Sequence, residues 1–234
     1  MRIDKYLEDS LLISKKEAKT LIKSGHVYIN GSVIKDCGFH VEEKSEVVLN
    51  GEEISYKHFR YYVMNKPQGI ITATSDTSQK TVLDIFKPEL RKGISPIGRL
   101  DKDTEGLLLL TNDGELNHKL LSPRKHVEKT YNCLLAKDIN ENDIVALENG
   151  IDIGEKELTL PAKVSVITPK QVYLTITEGR YHQVKRMFQS LGNEVTYLER
   201  ISFGPLKLDD INLQRGCYRE LNDNELKTLT DLFN

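Results

Sequence analysis

A carboxylate in a glycine-bounded loop is the part of this sequence best suited to chemistry. The loop, Gly98–Gly106, reads Gly-Arg-Leu-Asp-Lys-Asp-Thr-Glu-Gly, and its Asp101 is followed by four leucines at 107–110. The leucine run predicts a buried core strand, and Asn-Asp-Gly at 112–114 predicts a tight turn that closes it. Such a strand would hold Asp101 on a rigid element, where a reacting carboxylate needs to be.

A second polar group lies at 178–188, which reads Glu-Gly-Arg-Tyr-His-Gln-Val-Lys-Arg-Met-Phe. Apolar residues recur there at helical spacing, which predicts a helix with one buried face. They are Val184, Met187, Phe188 and Leu191. No acidic residue occurs from 179 to 193, so the basic residues of the segment predict a locally positive surface. They are Arg180, His182, Lys185 and Arg186.

Length and composition limit the class of protein. A chain of 234 residues with 38% hydrophobic and 29% charged residues is typical of a globular protein with one large or two small domains. The net charge of −2 is unfavourable for nucleic-acid binding, so a protein that binds RNA would need clustered basic groups. Cys37, Cys133 and Cys217 match neither a disulfide framework nor a zinc site, which indicates reduced cytosolic thiols. With no signal peptide and no apolar run of roughly 18 residues, we expect a cytoplasmic protein without membrane contact.

Residues 1–57 are predicted to form a small separate domain. Ser14 and Glu17 fit a capping box at the start of a helix that Gly25 ends. Asn-Gly pairs at 30–31 and 50–51 predict two hairpins. One face of the helix collects four lysines, which are Lys15, Lys16, Lys19 and Lys23.

This pattern of helix, glycine, strand and Val-Tyr-Ile-Asn-Gly resembles the small RNA-binding domain of ribosomal protein S4. The resemblance implies that the four lysines contact RNA. The alternative interpretation is an ordinary solvated helix face. In that helix the family frequently has arginine, whereas this chain has lysine. A lysine cannot form the two parallel hydrogen bonds that an arginine makes to a phosphate.

Residues 60–234 are predicted to form the second domain, in which strands dominate and helices are interspersed. A strand at 60–65 ends in Lys-Pro-Gln-Gly, and helices are predicted at 116–121 and 141–147. Residues 172–177 alternate between apolar and polar, as in a half-buried strand. The fold class is therefore α+β: a small α/β-hairpin RNA-binding domain followed by a mixed, mainly antiparallel sheet domain.

Three segments of the second domain resemble the motifs of pseudouridine synthases. They are Arg-Leu-Asp at 99–101, Asn-Lys-Pro-x-Gly at 65–69, and the basic segment at 179–188. In that family the aspartate of the first motif attacks a uridine, which implies that Asp101 is the nucleophile. A basic residue of the third motif pairs with this aspartate, and such a cation would keep it ionised. Lys185 is the first choice for this partner and Arg180 the second.

The resemblance also assigns residues that contact the RNA. Tyr131, in Lys-Thr-Tyr, matches the family tyrosine that lies against the target uracil and takes part in proton transfer, and it offers a flat ring and a hydroxyl. The target nucleotide must be flipped out of folded RNA, at a cost of a few kcal/mol. Arg99 would fill the gap or hold the flipped phosphate. The further RNA contacts expected around the cleft are Lys66, Arg180 and Arg186. Because the isomerisation oxidises, transfers and hydrolyses nothing, no cofactor and no metal are expected.

Over essentially its whole length the chain resembles the RsuA-type bacterial ribosomal RNA synthases, which join an S4-like domain to this catalytic domain. The segment 180–188 is similar to that of the small-subunit enzymes. This implies 16S rRNA or an assembly intermediate as partner, usually uridine 516 as target, and a monomeric enzyme. The alternative target is 23S rRNA. Glu105 departs from the family pattern, where threonine is common, and would add negative charge near Asp101.

Three other functions compete with this interpretation. Asp101-Lys102-Asp103 could bind the metal of a sugar transferase, although the sequence has no nucleotide cradle. Asp101 with Asp103 or Glu105 could form a glycosidase carboxylate pair, which would release free base. A non-catalytic RNA-binding or ribosome-assembly module would explain residues 1–57 but not the three motifs that follow.

Overall fold

The computed structural model describes residues 1–56 and 58–233. It divides the chain into two compact units. One comprises Met1–Arg60 together with Lys87–Lys92, and the other Tyr61–Phe86 together with Gly93–Asn234. Lys57, where the first predicted domain ends, lies outside the described residues.

The first unit packs two helices against a four-stranded antiparallel sheet of strand order β2-β1-β3-β4. Its elements are α1 (Ile3–Leu11), α2 (Lys15–Lys23), β1 (Val27–Ile29), β2 (Ser32–Val33), β3 (Val47–Leu49) and β4 (Glu52–Glu53). The predicted capping box of α2 is present, and both Asn-Gly turns have positive φ at both residues, as two-residue hairpins require. Pro88–Leu90 adds one turn of 3₁₀ helix. A core that includes Leu7, Ile22 and Val27 holds the unit together.

The second unit is built on a nine-stranded sheet. Its main order is β13-β5-β7-β11-β8-β10-β9, with β6 paired to β7 and β12 to β11, and β7 with β11 is the parallel pair among those described. In chain order the strands and helices are β5 (Tyr61–Lys66), β6 (Ser95–Ile97), β7 (Glu105–Thr111), α3 (Gly114–Leu121), β8 (Lys129–Leu135), α4 (Glu141–Asn149), β9 (Lys163–Thr168), β10 (Gln171–Ile176), α5 (Gln183–Ser190), β11 (Val195–Phe203), β12 (Leu206–Lys207), α6 (Leu208–Ile211), β13 (Tyr218–Glu220) and α7 (Asp223–Thr230). Short 3₁₀ segments occur at Val82–Ile85, Pro123–Lys125 and Asp231–Phe233.

Strand β7 runs through the centre of this sheet, and every one of its residues is buried. Leu107 and Leu109 belong to the main core, as the leucine run predicts. The tight turn predicted after β7 is wrong. Asp113 instead caps α3, because its carboxylate accepts hydrogen bonds from the backbone N–H groups of Glu115 and Leu116.

The predicted fold class is confirmed, since helices and a largely antiparallel sheet occur together. The remaining predicted elements of the second unit correspond to β5, α4, β10 and α5. Within the described ranges, none of the helices is both long enough and apolar enough to span a membrane.

Candidate active site

The loop that carries Asp101 is held from below by a buried lysine. Lys66, at the end of β5, has no exposed surface, and its Nζ donates to the carbonyl oxygens of Asp101 at 3.0 Å and Thr104 at 2.8 Å. Thr72 adds a reciprocal pair, accepting from the N–H of Leu100 at 3.1 Å and donating to its carbonyl at 2.7 Å. The loop backbone is therefore fixed independently of the Asp101 side chain.

This burial has an electrostatic cost for Lys66. It lowers the pKa of the Lys66 ammonium to about 8, against the opposing influence of the nearby carboxylates, of which Asp101 is the strongest. The prediction that Lys66 contacts RNA is corrected, because an ammonium that is fully buried and directed at loop carbonyls is not presented to a ligand.

Two basic side chains from the start of α5 meet the Asp101 carboxylate. Lys185 Nζ lies 3.0 Å from Oδ2, and His182 Nε2 lies 3.4 Å from Oδ1. Lys185 also donates to Asp103 Oδ1 at 2.6 Å, so one ammonium bridges two carboxylates. Partial burial favours the neutral amine, but the hydrogen bonds and charges of Asp103 and Asp101 outweigh it and raise the pKa of Lys185. The cation beside Asp101 is therefore stable.

Glu105 does not join this carboxylate group. Its Oε2 accepts a hydrogen bond from the Tyr197 hydroxyl at 2.7 Å and forms an ion pair with Arg215. Tyr197 and Glu199 alternate along β11 with Leu198 and Arg200, and only the latter two line the cleft. The charge of Glu105 is thus compensated on the other side of the sheet from Asp101.

Tyr131 and two buried cations form one wall of the cleft. Tyr131 on β8 is 8% exposed and lies directly opposite Arg200 on β11. Arg200 is 1% exposed; its Nε donates to Leu107 O at 2.7 Å, and its Nη2 has no hydrogen-bond partner among the described residues. Burial lowers the pKa of the Arg200 guanidinium, and Tyr131 opposes that shift. Lys129, at the start of β8, is also buried, and burial together with the charge of Arg200 lowers its pKa to about 8.

These groups share a cleft of about 670 Å³, which lies within the usual range of pockets that bind small molecules. Its lining includes Arg99, Asp101, Tyr131, Tyr181, His182, Lys185 and Arg200. The structure thus brings the three predicted catalytic residues, Asp101, Tyr131 and Lys185, into one cavity.

Arg99 and the four lysines predicted to contact RNA have side chains that are open to solvent at least in part. Arg99 is exposed on the cleft, with no side-chain hydrogen bond to any residue within 1–56 or 58–233. Lys15, Lys16 and Lys23 are exposed, and Lys19 is partly exposed on the same helix.

Arg180 and Arg186 are instead tied to protein acceptors. Arg180 pairs with Glu178 at 3.0 Å and Glu155 at 3.3 Å, and Arg186 pairs with Glu155 at 2.6 Å. Both also donate to backbone carbonyls in the 153–158 loop. The uniformly positive segment predicted from 179 to 193 is therefore partly neutralised by acids outside it, and Arg180 does not reach Asp101.

Metal-ligand clusters bear on the sugar-transferase alternative. In the part of the chain that the structure describes, no three His, Cys, Asp or Glu side chains converge as a metal site would require. Cys37, Cys133 and Cys217 are free thiols.

Sequence reasoning missed Arg200 and Lys129 as cleft residues. Each is a single basic residue within a strand, and strand periodicity alone does not indicate that two cations from neighbouring strands share a buried wall. The signal that could have found them is the presence of a charged residue at an inward position of an otherwise buried strand, which is rare without a specific partner.

Comparisons with known proteins identify the relatives of this chain. Residues 60–190 match the model of the RNA pseudouridylate synthase family, and residues 1–47 match the S4 domain. The chain is 49% identical to an uncharacterized RNA pseudouridine synthase of Bacillus subtilis, covering 99% of both chains. It is 40% identical to the ribosomal small subunit pseudouridine synthase A of Salmonella typhimurium, over 98% of this chain and 100% of that one. A crystal structure of a pseudouridylate synthase, 38% identical, superposes with a TM-score of 0.70 over 98% of this chain and 99% of that one.

The fold, the cleft and these matches together define an enzyme that isomerises nucleotides of RNA. The chain belongs to the RNA pseudouridylate synthase family and carries an S4 domain at its N-terminal end. The resemblance inferred from the motifs is confirmed.

Proposed function

We propose that this enzyme converts a uridine of small-subunit 16S rRNA into pseudouridine, with Asp101 as nucleophile. The observation that carries the proposal is the Asp101–Lys185 ion pair of 3.0 Å, set in a cleft on a loop that Lys66 fixes from below. The relatives named for the ribosomal small subunit support the choice of RNA, and uridine 516 is the finer target we propose.

The reaction uses the cleft in a fixed order. A uridine flipped out of the RNA enters the cavity, and Arg99 occupies the gap or holds the phosphate. The Asp101 carboxylate forms a covalent bond to the nucleotide, and the electron pair of the N1–C1′ bond passes to the uracil ring. The ring turns, C5 bonds to C1′ as the carboxylate is released, and C5 then loses its proton while N1 gains one, so that the product is an isomer of the substrate. Tyr131 lies against the ring and takes part in this last proton transfer.

Positive charge on the cleft wall supports the bond-breaking step. As the N1–C1′ bond breaks, negative charge develops on the uracil ring. Arg200 and Lys129 line the cavity with little exposure to solvent, where a fixed cation stabilises a developing anion more strongly than in water. Arg200 Nη2 has no hydrogen-bond partner among the described residues and is available to the reacting ring, whereas Lys129 Nζ donates to the Val127 carbonyl at 2.9 Å and contributes its charge through the field of the wall.

The S4 domain holds the RNA, and the cleft performs the chemistry. Lys15, Lys16, Lys19 and Lys23 contact phosphates of 16S rRNA or of an assembly intermediate, since phosphate contacts position an RNA without reading its sequence. We propose that the enzyme acts as a monomer. We place its action in the cytoplasm.

Mapping of pseudouridine in rRNA tests the proposal. Cells that lack the gene should lose one pseudouridine in 16S rRNA, and the wild-type gene but not Asp101→Asn should restore it. The purified enzyme should release tritium from a 16S transcript made with 5-tritiated uridine, and not from a 23S transcript. A site lost from 23S rRNA would overturn the assignment to the small subunit. Free uracil in place of an isomerised nucleoside would indicate a glycosidase, and RNA binding without any product would indicate an assembly module.

A further inference from the structure

An aromatic pair at the mouth of the cleft has no part in the reaction described above. Tyr181 is 75% exposed, although it is a large aromatic residue that lines the cavity. Its ring stacks on the imidazole of His182, with centroids 3.9 Å apart and planes 16° from parallel. The imidazole in turn lies 3.4 Å from the Asp101 carboxylate. The two rings therefore extend outward from the reacting group as a flat stack.

Exposure rises in order along the path from the cavity to solvent. Tyr131 is 8% exposed, the side chains of Asp101 and His182 are 25% and 39% exposed, and Tyr181 is 75% exposed. The target uracil belongs with the buried end of this series, beside Tyr131 and Asp101. What meets Tyr181 is therefore a part of the RNA that stays outside the cavity.

The backbone holds the pair in this exposed position. His182 adopts a left-handed conformation with φ of 49°, immediately before α5. Arg180 and Gln183 bracket the pair with reciprocal hydrogen bonds of 2.9 and 3.2 Å, and Arg186 donates to the Tyr181 carbonyl at 3.0 Å. The ring that lines the cleft, stacked on His182, therefore offers a flat aromatic face to a ligand of the cavity.

We propose that Tyr181 and His182 form a stacking platform for the nucleobase next to the target uridine in the RNA. The platform rests on the proposed function in one respect, that the ligand of the cleft is RNA. Every base has a flat π-face, and stacking on an aromatic ring is the contact by which proteins hold unpaired bases. Arg99, exposed in the same cleft, offers a guanidinium to the backbone near the flipped nucleotide. The neighbouring base, unstacked when the target leaves the helix, thus gains a new stacking partner.

The absence of tryptophan from the sequence allows a direct test. Tyr181→Trp gives the full-length enzyme one fluorescent reporter at the platform. Val145→Trp, on an exposed position of α4, gives a matched reporter that does not line the cleft. Each variant is titrated with a short oligouridylate and with unmodified small-subunit rRNA, while filter binding measures occupancy separately. We expect the indole emission of the Tyr181→Trp enzyme to be quenched in step with occupancy, and that of the Val145→Trp enzyme to be unaffected.

Kinetics provide the second arm. Tyr181→Leu removes the ring and should raise KM for rRNA about tenfold, while kcat stays unchanged. Tyr181→Phe keeps the ring and should recover the affinity. Emission of the Tyr181→Trp enzyme that stays constant while filter binding shows saturation would overturn the platform. So would a Tyr181→Leu variant whose KM equals that of the wild type, or whose loss lies entirely in kcat.

The two arms separate this inference from the proposed function. The fluorescence titration is repeated with Asp101→Asn added to Tyr181→Trp, and it needs no turnover. If RNA quenches the platform reporter but the Tyr181→Trp enzyme with Asp101 intact, like the wild type, forms no pseudouridine, the proposed function is removed and the platform stays. Pseudouridine formation without quenching would do the reverse.

Discussion

Asp101 owes its setting to residues that lie far from it in the chain. Lys66 fixes its backbone carbonyl, and Lys185 and His182 approach its two carboxylate oxygens. Because the loop is held by backbone contacts, Asp101→Asn should preserve its shape and remove only the charge. We expect tritium release from 5-tritiated uridine in rRNA to fall by on the order of a thousandfold or more, while RNA binding largely survives. Activity within tenfold of the wild type would rule out Asp101 as the nucleophile.

Lys185 serves two carboxylates, and its role can be separated from simple RNA binding. If it acts on the chemistry through Asp101, Lys185→Met should lower kcat at least tenfold and change RNA affinity little. If it is a phosphate contact, binding should weaken and the salt dependence of log K should fall by about one. Single-turnover rates and filter binding, measured on the same preparations, distinguish the two. Lys170→Met, at an exposed position outside the cleft, is the control.

At the scale of elements, the close parallel pairing of β7 and β11 determines how near the Asp101 loop lies to Arg200. Gly106 is paired with Arg200 across these strands and has a φ of 100°. A Cβ at this position would lie 2.9 Å from the backbone N of Arg200 and overlap its carbonyl oxygen. Gly106→Ala should therefore lower the free energy of unfolding by about 3 kcal/mol or more. Gly114→Ala is the matched control. Gly114 begins α3 with open space around it, so alanine should be neutral or stabilising by up to about 1 kcal/mol. Urea denaturation measures the unfolding free energy of both variants. Equal values for Gly106→Ala and Gly114→Ala would contradict this account of the strand pairing.

The strand wall also predicts a pH dependence of stability. Burial and Arg200 lower the pKa of Lys129 from 10.5 to about 8 in the folded protein. Between pH 8 and 10.5 the unfolded chain therefore binds more protons at this site, so the free energy of unfolding rises with pH across that window. At about 1.4 kcal/mol for each pH unit, the rise amounts to about 3 kcal/mol. Lys129→Met should remove it.

The measurement is the difference in unfolding free energy between wild type and Lys129→Met at pH 7, 8, 9 and 10. Other titrating groups, such as Lys66, are present in both proteins and cancel from the difference. The unfolding free energy of the wild type should increase relative to that of Lys129→Met as the pH rises. A difference that stays constant across the series would show that Lys129 titrates normally in the folded state.

Elements with local signals could be predicted from the sequence. The capping box at Ser14, the Asn-Gly hairpins and the apolar stripe of α5 each depend on residues within one or two turns, and all are present. Asp113 caps α3 and does not close a tight turn, because Asn-Asp-Gly favours a turn and a helix cap equally well and only the following helix decides between them. The motif resemblance predicts that Lys185 pairs with Asp101, and the structure contains this ion pair. The pairing of Glu155 with Arg180 and Arg186 depends on long-range contacts and has no local signal, and the burial of Lys66 and Arg200 is indicated only by a charged residue at an inward position of a strand.

For the molecule as a whole, a net charge of −2 is reconciled with RNA binding by the distribution of its cations. Basic residues around the cleft are mostly engaged: Lys185 with Asp101 and Asp103, and Arg186 with Glu155. On α2, by contrast, none of the four lysines forms an ion pair with another described residue. Uncompensated charge on this helix is what an RNA phosphate chain would meet at longest range.

Replacing Lys15, Lys16, Lys19 and Lys23 with glutamine should therefore weaken rRNA binding by at least about tenfold at physiological salt. Each lost phosphate contact reduces the slope of log K against log salt by about 0.7 to 0.9, so the slope should fall by about 3. The matched control replaces four scattered exposed lysines, Lys156, Lys170, Lys207 and Lys227, with glutamine. Both variants carry a net charge of −6, from −2 less four positive charges, so a difference between them reports position and not total charge. Circular dichroism first establishes that each is folded. Wild-type affinity and salt slope in the α2 variant would mean that this lysine face is simply solvated, and that the RNA is held elsewhere.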